Sequence, residues 1–239
     1  MNDKKNRFEE IVFTQPDQVD WKLGNAIHVW KFPVLPAGFT ILTDSEKIIV
    51  ERFRFEGDRN RFITGRKSLR NLLSKYLSVS PSDIHIVAEK RQKPYVKTPD
   101  SIIRFNISHS GLWVVIAFAQ DELGIDIEKI DSAFDYSNLL PEHFSLTERQ
   151  FISSAENPLS AFYLLWTRKE ALTKAEGVGL RENLSQVSVL DRCSVSGSNG
   201  KNWRIKSFNL SSEYPVSLAY CNSPGEICYV DGSKFFAGI

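Results

Sequence analysis

Hydrophobic residues in the first half of the chain fall at two spacings, one typical of strands and one of helices. The run Ile27–Phe32 predicts a strand, and Asp44 with Ser45 can cap the start of a helix. A second helix is predicted over about residues 59–76, where apolar side chains recur every three or four positions. Further strands are predicted at residues 84–88, 103–107 and 112–119. The next run, residues 123–130, alternates again and predicts a hairpin with the strand before it.

The second half of the chain has clear helix start and stop signals. Ser145 and Glu148 form a capping-box pattern that opens a helix to about residue 155. Asn157 followed by Pro158 opens a longer helix, predicted to end at Gly177. Strands are then predicted at residues 187–190, 203–208 and 216–221, followed by an irregular tail from residue 224.

The order of elements is similar in the two halves, and no Pro-, Gly- or Ser-rich linker separates them. We therefore predict an α+β fold of two similar lobes, residues 26–120 and 121–239. Residues 1–25 are polar and lack a period, so they are predicted to be a loosely held lead-in.

Composition narrows the class of protein. With 239 residues, 42% of them hydrophobic, the chain can bury a core of its own. Its formal charge of +1 gives no reason to expect a nucleic-acid or membrane partner. Residues 1–120 carry 19 basic and 13 acidic side chains, whereas residues 121–239 carry 11 and 16. A basic half beside an acidic half suits an anionic ligand next to a metal-binding cluster.

Cysteine usage and the N-terminus indicate a cytoplasmic protein. Cys193, Cys221 and Cys228 are an odd set without a C-x-x-C pair, which argues against a disulfide framework and a zinc site. The charged N-terminus is followed by no apolar signal region, and no stretch is long enough to span a bilayer.

Two carboxylates lie on one face of the strand predicted after residue 122. Asp126 and Glu128 are two residues apart, so the period of a strand directs both side chains to the same side. Like charges at that spacing repel and add nothing to the sheet. The pair indicates either a solvent-facing strand or a binding site.

A third carboxylate continues an apolar stripe on the long helix. The stripe of Leu159, Phe162, Tyr163 and Trp166 leads to Glu170 and Lys174. These two either form a salt bridge with each other or meet ligands. Asp126, Glu128 and Glu170 together would make an all-oxygen site of the kind that Mg²⁺ prefers.

His109 follows a predicted strand in a loop of small polar residues. A hydrolase that used Ser108 with His109 and Asp126 is disfavoured, because chain neighbours rarely present nucleophile and base to each other. His109 is then either a structural residue or a hydrogen-bond donor to a bound phosphate group.

Three segments, Phe105–Gly111, Gly124–Lys129 and Trp166–Leu180, together resemble the signature segments of the Sfp-type 4′-phosphopantetheinyl transferases in order and spacing. The resemblance extends from about residue 27 to residue 221. It implies two similar α+β lobes related by a pseudo-twofold axis, with the active site in the cleft between them.

The resemblance also implies an activity. Such an enzyme moves the phosphopantetheine arm of coenzyme A onto a serine of an apo acyl or peptidyl carrier protein, with Mg²⁺, and releases adenosine 3′,5′-bisphosphate. A cytoplasmic monomer is expected, with no nucleic acid or membrane partner. The runner-up interpretations are another Mg²⁺-dependent phosphotransfer enzyme and a non-catalytic module that binds coenzyme A or the carrier.

Carried over by position, the resemblance assigns roles to individual residues. Asp126, Glu128 and Glu170 become the metal ligands, and Asp126, Glu170 and Lys174 also contact coenzyme A. Lys174 meets the diphosphate, and Glu170, or a water that it holds, is the expected base. The other residues expected to bind coenzyme A are Arg61, Arg66, Lys93, Pro94, Tyr95, Ser108 and His109. Of these, Arg66, Lys93, Ser108 and His109 are expected to surround its 3′-phosphoadenosine end. Apolar residues between Phe134 and Phe144 are expected either to dock the carrier or to cap the core.

Overall fold

The structure, a computed structural model, describes residues 8–36, 42–87, 93–96, 103–177, 184–191, 195–197 and 200–235 and confirms the mixed α+β class. The helices in these residues are α1 (Asp44–Glu51), α2 (Glu56–Leu77), α3 (Leu139–His143), α4 (Leu146–Ser154) and α5 (Pro158–Glu176). The strands are β1 (Ala26–Pro33), β2 (Ile86–Val87), β3 (Tyr95–Val96), β4 (Arg104–Ser110), β5 (Trp113–Ala119), β6 (Leu123–Ile127), β7 (Val195–Ser196), β8 (Asn202–Asn209), β9 (Pro215–Tyr220) and β10 (Glu226–Asp231). None of these helices combines the length and apolar character that crossing a membrane requires.

Backbone contacts divide the chain into two compact units. Residues 12–89, 94–120 and 224–239 form one, called here the N-terminal unit. Residues 1–11, 90–93 and 121–223 form the other, called the C-terminal unit. Each contains a four-stranded sheet and one long helix, as expected for an α+β lobe.

The sheet of the N-terminal unit has the order β10-β1-β5-β4. β1 pairs in parallel with β10 and antiparallel with β5. Helix α2 packs on this sheet through β5 and β4. Large apolar side chains from both layers form the core, among them Trp30, Phe32, Leu69, Leu72 and Phe118.

The sheet of the C-terminal unit has the order β6-β9-β8-β7, and α5 packs on β6 and β9. Asn157 caps α5, since its Oδ1 accepts a hydrogen bond from the Ser160 amide at 3.0 Å. Pro158 is the first helical residue, and Gly177 ends the helix with φ of 72°. The predicted bounds of this helix are confirmed.

The predicted hairpin between residues 112–119 and 123–130 is wrong. β5 pairs with β1 along one edge and with β4 along the other, so neither edge is open to β6. β6 instead pairs antiparallel with β9 in the other unit, where Asp126 lies opposite Ser217. An apolar run marks a buried strand but does not identify its partner.

Both ends of the described chain are more ordered than the sequence predicted. The tail contains β10, which adds a parallel strand to β1. In the lead-in, Trp21 stacks on Trp30 with ring centroids 5.6 Å apart, and the Thr14 amide donates to the Tyr229 carbonyl at 2.8 Å. The lead-in is therefore held by aromatic packing and by the backbone of its neighbours.

Two further predictions in the C-terminal unit need correction. Residues 187–190 form no strand, because side chains of α4 and α5 satisfy part of their backbone. The amide of Val189 donates to Glu148 Oε1 at 2.9 Å, and the carbonyl of Val187 accepts from Lys169 Nζ at 2.7 Å. The short helix α3, which has few apolar positions, was not predicted.

Candidate active site

The C-terminal unit brings β6 and α5 into very close contact at Gly124. A Cβ atom at this position would lie 2.0 Å from the Ala171 carbonyl oxygen and 2.4 Å from the Ala175 amide nitrogen. Because no side chain fits there, the helix rests directly on the strand. This contact brings Asp126 of the strand close to Glu170 and Lys174 of the helix.

Lys174 and Asp126 form a short ion pair beside this contact. Lys174 Nζ donates to Asp126 Oδ1 at 2.6 Å. The Asp126 side chain is 4% exposed and that of Lys174 is 29% exposed. The ammonium group therefore neutralises a buried carboxylate and still reaches solvent, where an anionic ligand could contact it.

Glu170 is a second, partly buried carboxylate beside this pair. Its Oε1 atom is buried and accepts no hydrogen bond within the described part of the chain. Burial and the neighbouring Asp126 charge raise the pKa of Glu170, and Lys174 only partly offsets them. A raised pKa makes this carboxylate a better proton acceptor, and the repulsion by Asp126 that contributes to the shift is one that a bound cation would relieve.

Glu128 lies one residue beyond β6, where its amide donates to the Pro215 carbonyl at 3.2 Å. Its charge, with that of Asp131, adds to the burial that raises the pKa of Tyr163. Within the described ranges, no three Asp, Glu, His or Cys side chains are grouped closely enough to hold a metal ion. The structure thus brings together Asp126, Glu170 and Lys174, whereas Glu128 lies towards Tyr163.

Two of the residues predicted to bind the adenosine end come from α2 in the N-terminal unit. The Arg61 guanidinium pairs with Asp58 and donates to the Gly111 carbonyl at 3.2 Å. Arg61 thus lies at the turn that follows His109. Arg66 Nε lies 3.7 Å from Glu46 Oε1, and Arg66 Cζ lies 5.2 Å from the centre of the Phe62 ring.

The predicted loop residues of the same unit occupy alternate faces of β4. Ser108 is buried and His109 is exposed. Tyr95 in the short strand β3 is 38% exposed and follows the half-buried Pro94. The remaining predicted residue, Lys93, belongs to the C-terminal unit, where its Nζ donates to the Leu123 carbonyl and lies 3.7 Å from Glu122.

Three residues that precede Glu170 are polar and buried, which was not predicted from the sequence. Thr167, Arg168 and Lys169 are at most 1% exposed. Their signal in the sequence is a run of polar residues that continues into Glu170 directly after the apolar stripe of α5, which by itself also fits an exposed turn of the helix. The predicted capping box of Ser145 and Glu148 is confirmed. Glu148 has a second role that was not predicted, because its Oε2 atom lies 2.9 Å from Lys169 Nζ.

Comparisons with known proteins identify the family of the chain. Residues 34–121 match a family described as 4′-phosphopantetheinyl transferase, N-terminal, and residues 122–219 match the 4′-phosphopantetheinyl transferase superfamily. A phosphopantetheinyl transferase from Thraustochytrium is 31% identical over 74% of this chain and 69% of its own length. Sfp from Bacillus subtilis is 35% identical over 58% of this chain and 61% of its own.

A third relative has a more specific name. It is the L-aminoadipate-semialdehyde dehydrogenase-phosphopantetheinyl transferase of Schizosaccharomyces pombe, 29% identical over 76% of this chain and 84% of its own length. The two family matches meet at residues 121 and 122, so together they cover most of the chain. The three segments that carry the resemblance lie within the matched residues. The chain therefore belongs to the Sfp-type 4′-phosphopantetheinyl transferases.

Proposed function

We propose that this chain transfers the 4′-phosphopantetheine arm of coenzyme A to a carrier-protein serine through Asp126, Glu170 and Lys174. The observation that carries the proposal is the junction of β6 and α5, where a partly exposed ammonium and a carboxylate of raised pKa meet. Transfer at phosphorus needs charge neutralisation and a proton acceptor more than covalent help. The site supplies both.

Each group of the reaction then has a partner. The serine Oγ attacks the phosphorus that carries the pantetheine arm, and a new O–P bond forms. The serine proton moves to the Glu170 carboxylate, directly or through one water. The P–O bond to the nucleotide breaks, and adenosine 3′,5′-bisphosphate leaves with the electron pair. Lys174 neutralises the diphosphate while this charge develops.

The residues present also fit a magnesium ion. The buried, unsatisfied Glu170 Oε1 and the repulsion between Glu170 and Asp126 are the features that a hard dication stabilises. We propose Asp126 and Glu170 as the direct ligands; Glu128, whose side chain lies towards Tyr163, would join them as the third ligand only through a water or after a change of rotamer. When bound, the ion would neutralise diphosphate oxygens. Lys174 then has less need to neutralise Asp126 and can turn towards the diphosphate.

The 3′-phosphoadenosine end is proposed to meet the cations near the β4–β5 turn. Arg61 already reaches this turn, and His109 is exposed beside it. Arg66, Tyr95 with Pro94, Ser108 and Lys93 complete the proposed set. Charge-assisted donors are the expected partners of a phosphate group.

Carrier docking is proposed for the surface that precedes and begins α4. Phe144 is fully buried, and Leu139 and Leu140 pack against the core, so these three do not form an open surface. Phe134 is 42% exposed and Leu146 is 69% exposed. These two side chains are the apolar groups that a carrier helix could cover.

Incubation with coenzyme A and a panel of apo carrier proteins tests the proposal. A transferase adds one phosphopantetheine group to the carrier and releases adenosine 3′,5′-bisphosphate in equal amount. A phosphotransfer or hydrolytic enzyme of another kind would consume coenzyme A and leave the carrier mass unchanged. A binding module would change neither. We further propose that the protein is cytoplasmic, which its free Cys221 and Cys228 support, and that it acts as a monomer.

A further inference from the structure

The three residues before Glu170 are polar, buried and attached to different elements. Thr167, Arg168 and Lys169 are consecutive in α5, and each is at most 1% exposed. Successive side chains of an α-helix point about 100° apart, so the three leave the helix in different directions. Arg and Lys are rarely fully buried unless they are paired. The triplet needs an explanation that packing alone does not give.

Thr167 and Arg168 are joined by a chain of hydrogen bonds through the sheet. Arg168 Nε donates to Ser207 Oγ at 3.0 Å in β8. Ser207 Oγ lies 3.0 Å from Ser217 Oγ in β9, which lies 2.9 Å from Thr167 Oγ1. Thr167 Oγ1 donates to the Leu164 carbonyl at 3.1 Å.

The direction of this chain is fixed at both ends. Arg168 can only donate and the Leu164 carbonyl can only accept, so each hydroxyl between them donates its one hydrogen towards Leu164. The bonds therefore run from the helix through two strands and back to the helix in a single orientation. Bonds arranged head to tail in this way polarise and strengthen one another.

Lys169 connects α5 to α4 and to the segment that contains Leu184 and Val187. Its Nζ contacts Glu148 Oε2 at 2.9 Å and donates to the carbonyls of Leu184 at 2.9 Å and Val187 at 2.7 Å. All three hydrogens of the ammonium are thus used. Glu148 in turn accepts from the Val189 amide at 2.9 Å and the Ser145 amide at 2.8 Å.

We infer that Thr167, Arg168 and Lys169 are positioning residues that fix the rotation of α5 about its axis and thereby aim Glu170 at Asp126. Two attachments on different sides of a cylinder prevent it from turning. A rotation of α5 would move Glu170 along an arc, and displacements of about 1 Å at a reacting group can cost about 100-fold in rate. Buried polar groups of this kind add little net stability compared with apolar residues of the same shape, so specifying orientation is the role left for them.

The inference rests on the proposed role of Glu170. Two substitutions of Thr167 distinguish an effect on the orientation of α5 from an effect on the stability of the fold. Thr167→Val keeps the shape but removes the hydroxyl link, so we expect kcat to fall about tenfold, with the KM for coenzyme A within about twofold of the parent value. Thr167→Ser keeps the hydroxyl and loses a buried methyl group. It should retain kcat although its urea midpoint falls.

Lys169→Met tests the other attachment, with Lys206→Met as its matched control. Lys206 lies in the same unit and pairs with Glu9 at 3.0 Å on the surface, where each side chain is 36% exposed. Lys169→Met should lower kcat by about tenfold or more, and Lys206→Met should leave both kcat and KM unchanged. Urea unfolding of every variant reports whether the assayed protein is folded.

A purely structural role would order the Thr167 variants by stability. Full kcat in Thr167→Val would overturn the inference, as would parallel changes of kcat and the urea midpoint across the set. Glu170→Gln, assayed alongside, tests the function on which the inference rests. Full turnover in Glu170→Gln would remove the role of Glu170, whereas its loss together with an active Thr167→Val would remove only the positioning role.

Discussion

At the scale of single residues, we expect the largest losses of turnover from substitutions of two carboxylates, Asp126 and Glu170. Asp126→Ala removes the partner of Lys174 and one proposed metal ligand, and we expect turnover to fall by roughly 100-fold or more. Glu170→Gln keeps the shape but cannot accept a proton, so it should lose turnover while it still binds coenzyme A. Mass-shift kinetics, with calorimetric titration of Mg²⁺ and coenzyme A, measures both effects. Activity at the parent level in Asp126→Ala would contradict the site.

A second residue-scale prediction concerns stability. His28 is 2% exposed, and its Nδ1 lies 2.8 Å from the Tyr76 hydroxyl, which also accepts from Trp30 Nε1 at 3.0 Å. Burial lowers the pKa of His28, although the charges of Glu226 and Asp20 oppose this shift. The native state therefore holds the neutral imidazole, while the unfolded chain takes up a proton below its ordinary pKa of about 6.5.

The sign of the pH effect follows from that difference in proton uptake. The stabilisation is fully present above the unfolded pKa and is lost as the pH falls through the lowered native pKa. Urea unfolding between about pH 7.5 and pH 5 should show stability decreasing on the acid side. In His28→Gln the decrease should be smaller. An equal decrease in both proteins would assign the acid loss to other groups.

The sequence identified the residue types of the site better than their contacts. Glu170 and Lys174 continue an apolar helical stripe, and Asp126 interrupts an apolar strand, so their unusual positions could be recognised. The bond between Lys174 and Asp126 depends on where β6 meets α5 and has no local signal. The same holds for Arg168, whose hydrogen-bond partners lie 21 and 39 residues away along the chain.

At the scale of elements, the contact of α5 with β6 depends on one glycine. Gly124→Ala would place a methyl group 2.0 Å from the Ala171 carbonyl oxygen, so the helix must move away from the strand. We expect a loss of about 1–3 kcal/mol in unfolding free energy and a drop in turnover larger than the loss of folded protein explains. Gly200→Ala is the matched control, since an added Cβ there meets nothing within 4 Å although its φ of +76° adds some strain. Equal effects of both substitutions would mean that close packing at Gly124 is unimportant.

Another element-scale prediction concerns the exposed start of α4. Leu146→Ser should raise the KM for the carrier and leave the KM for coenzyme A unchanged, because this side chain is 69% exposed and contributes little to the core. Val12→Ser, at an exposure of 84%, is the control outside this surface and should change neither constant. If both constants move together in Leu146→Ser, the residue has a structural role.

The bounds of elements with strong local sequence signals were predicted correctly, but the elements with which they pair were not predicted. The bounds of α5 follow from Asn157, Pro158 and Gly177, which act on adjacent backbone. The pairing of β6 with β9 joins residues about 90 positions apart, and it depends on which strand edges remain open after folding. No pattern within residues 123–130 contains that information.

At the scale of the whole molecule, the excess of basic residues in the first half should act on the 3′-phosphate of coenzyme A. Dephospho-coenzyme A lacks this group, so its KM should be higher than that of coenzyme A and should depend less on ionic strength. His109→Ala should narrow the difference between the two compounds. Steady-state kinetics at low and high salt measures this directly. An undiminished preference for coenzyme A in His109→Ala would remove that residue from the phosphate site.

The parallel pairing of β1 with β10 has a consequence for synthesis of the protein. β1 leaves the ribosome early, yet the strand that covers its outer edge is made only after residues 121–223, which form most of the C-terminal unit. That unit can therefore collapse first, while β1 still presents open backbone groups along one side. Open strand edges are sites of misassociation. Released chains that are truncated before residue 226 should depend on chaperones, and released chains that include residues 226–231 should not.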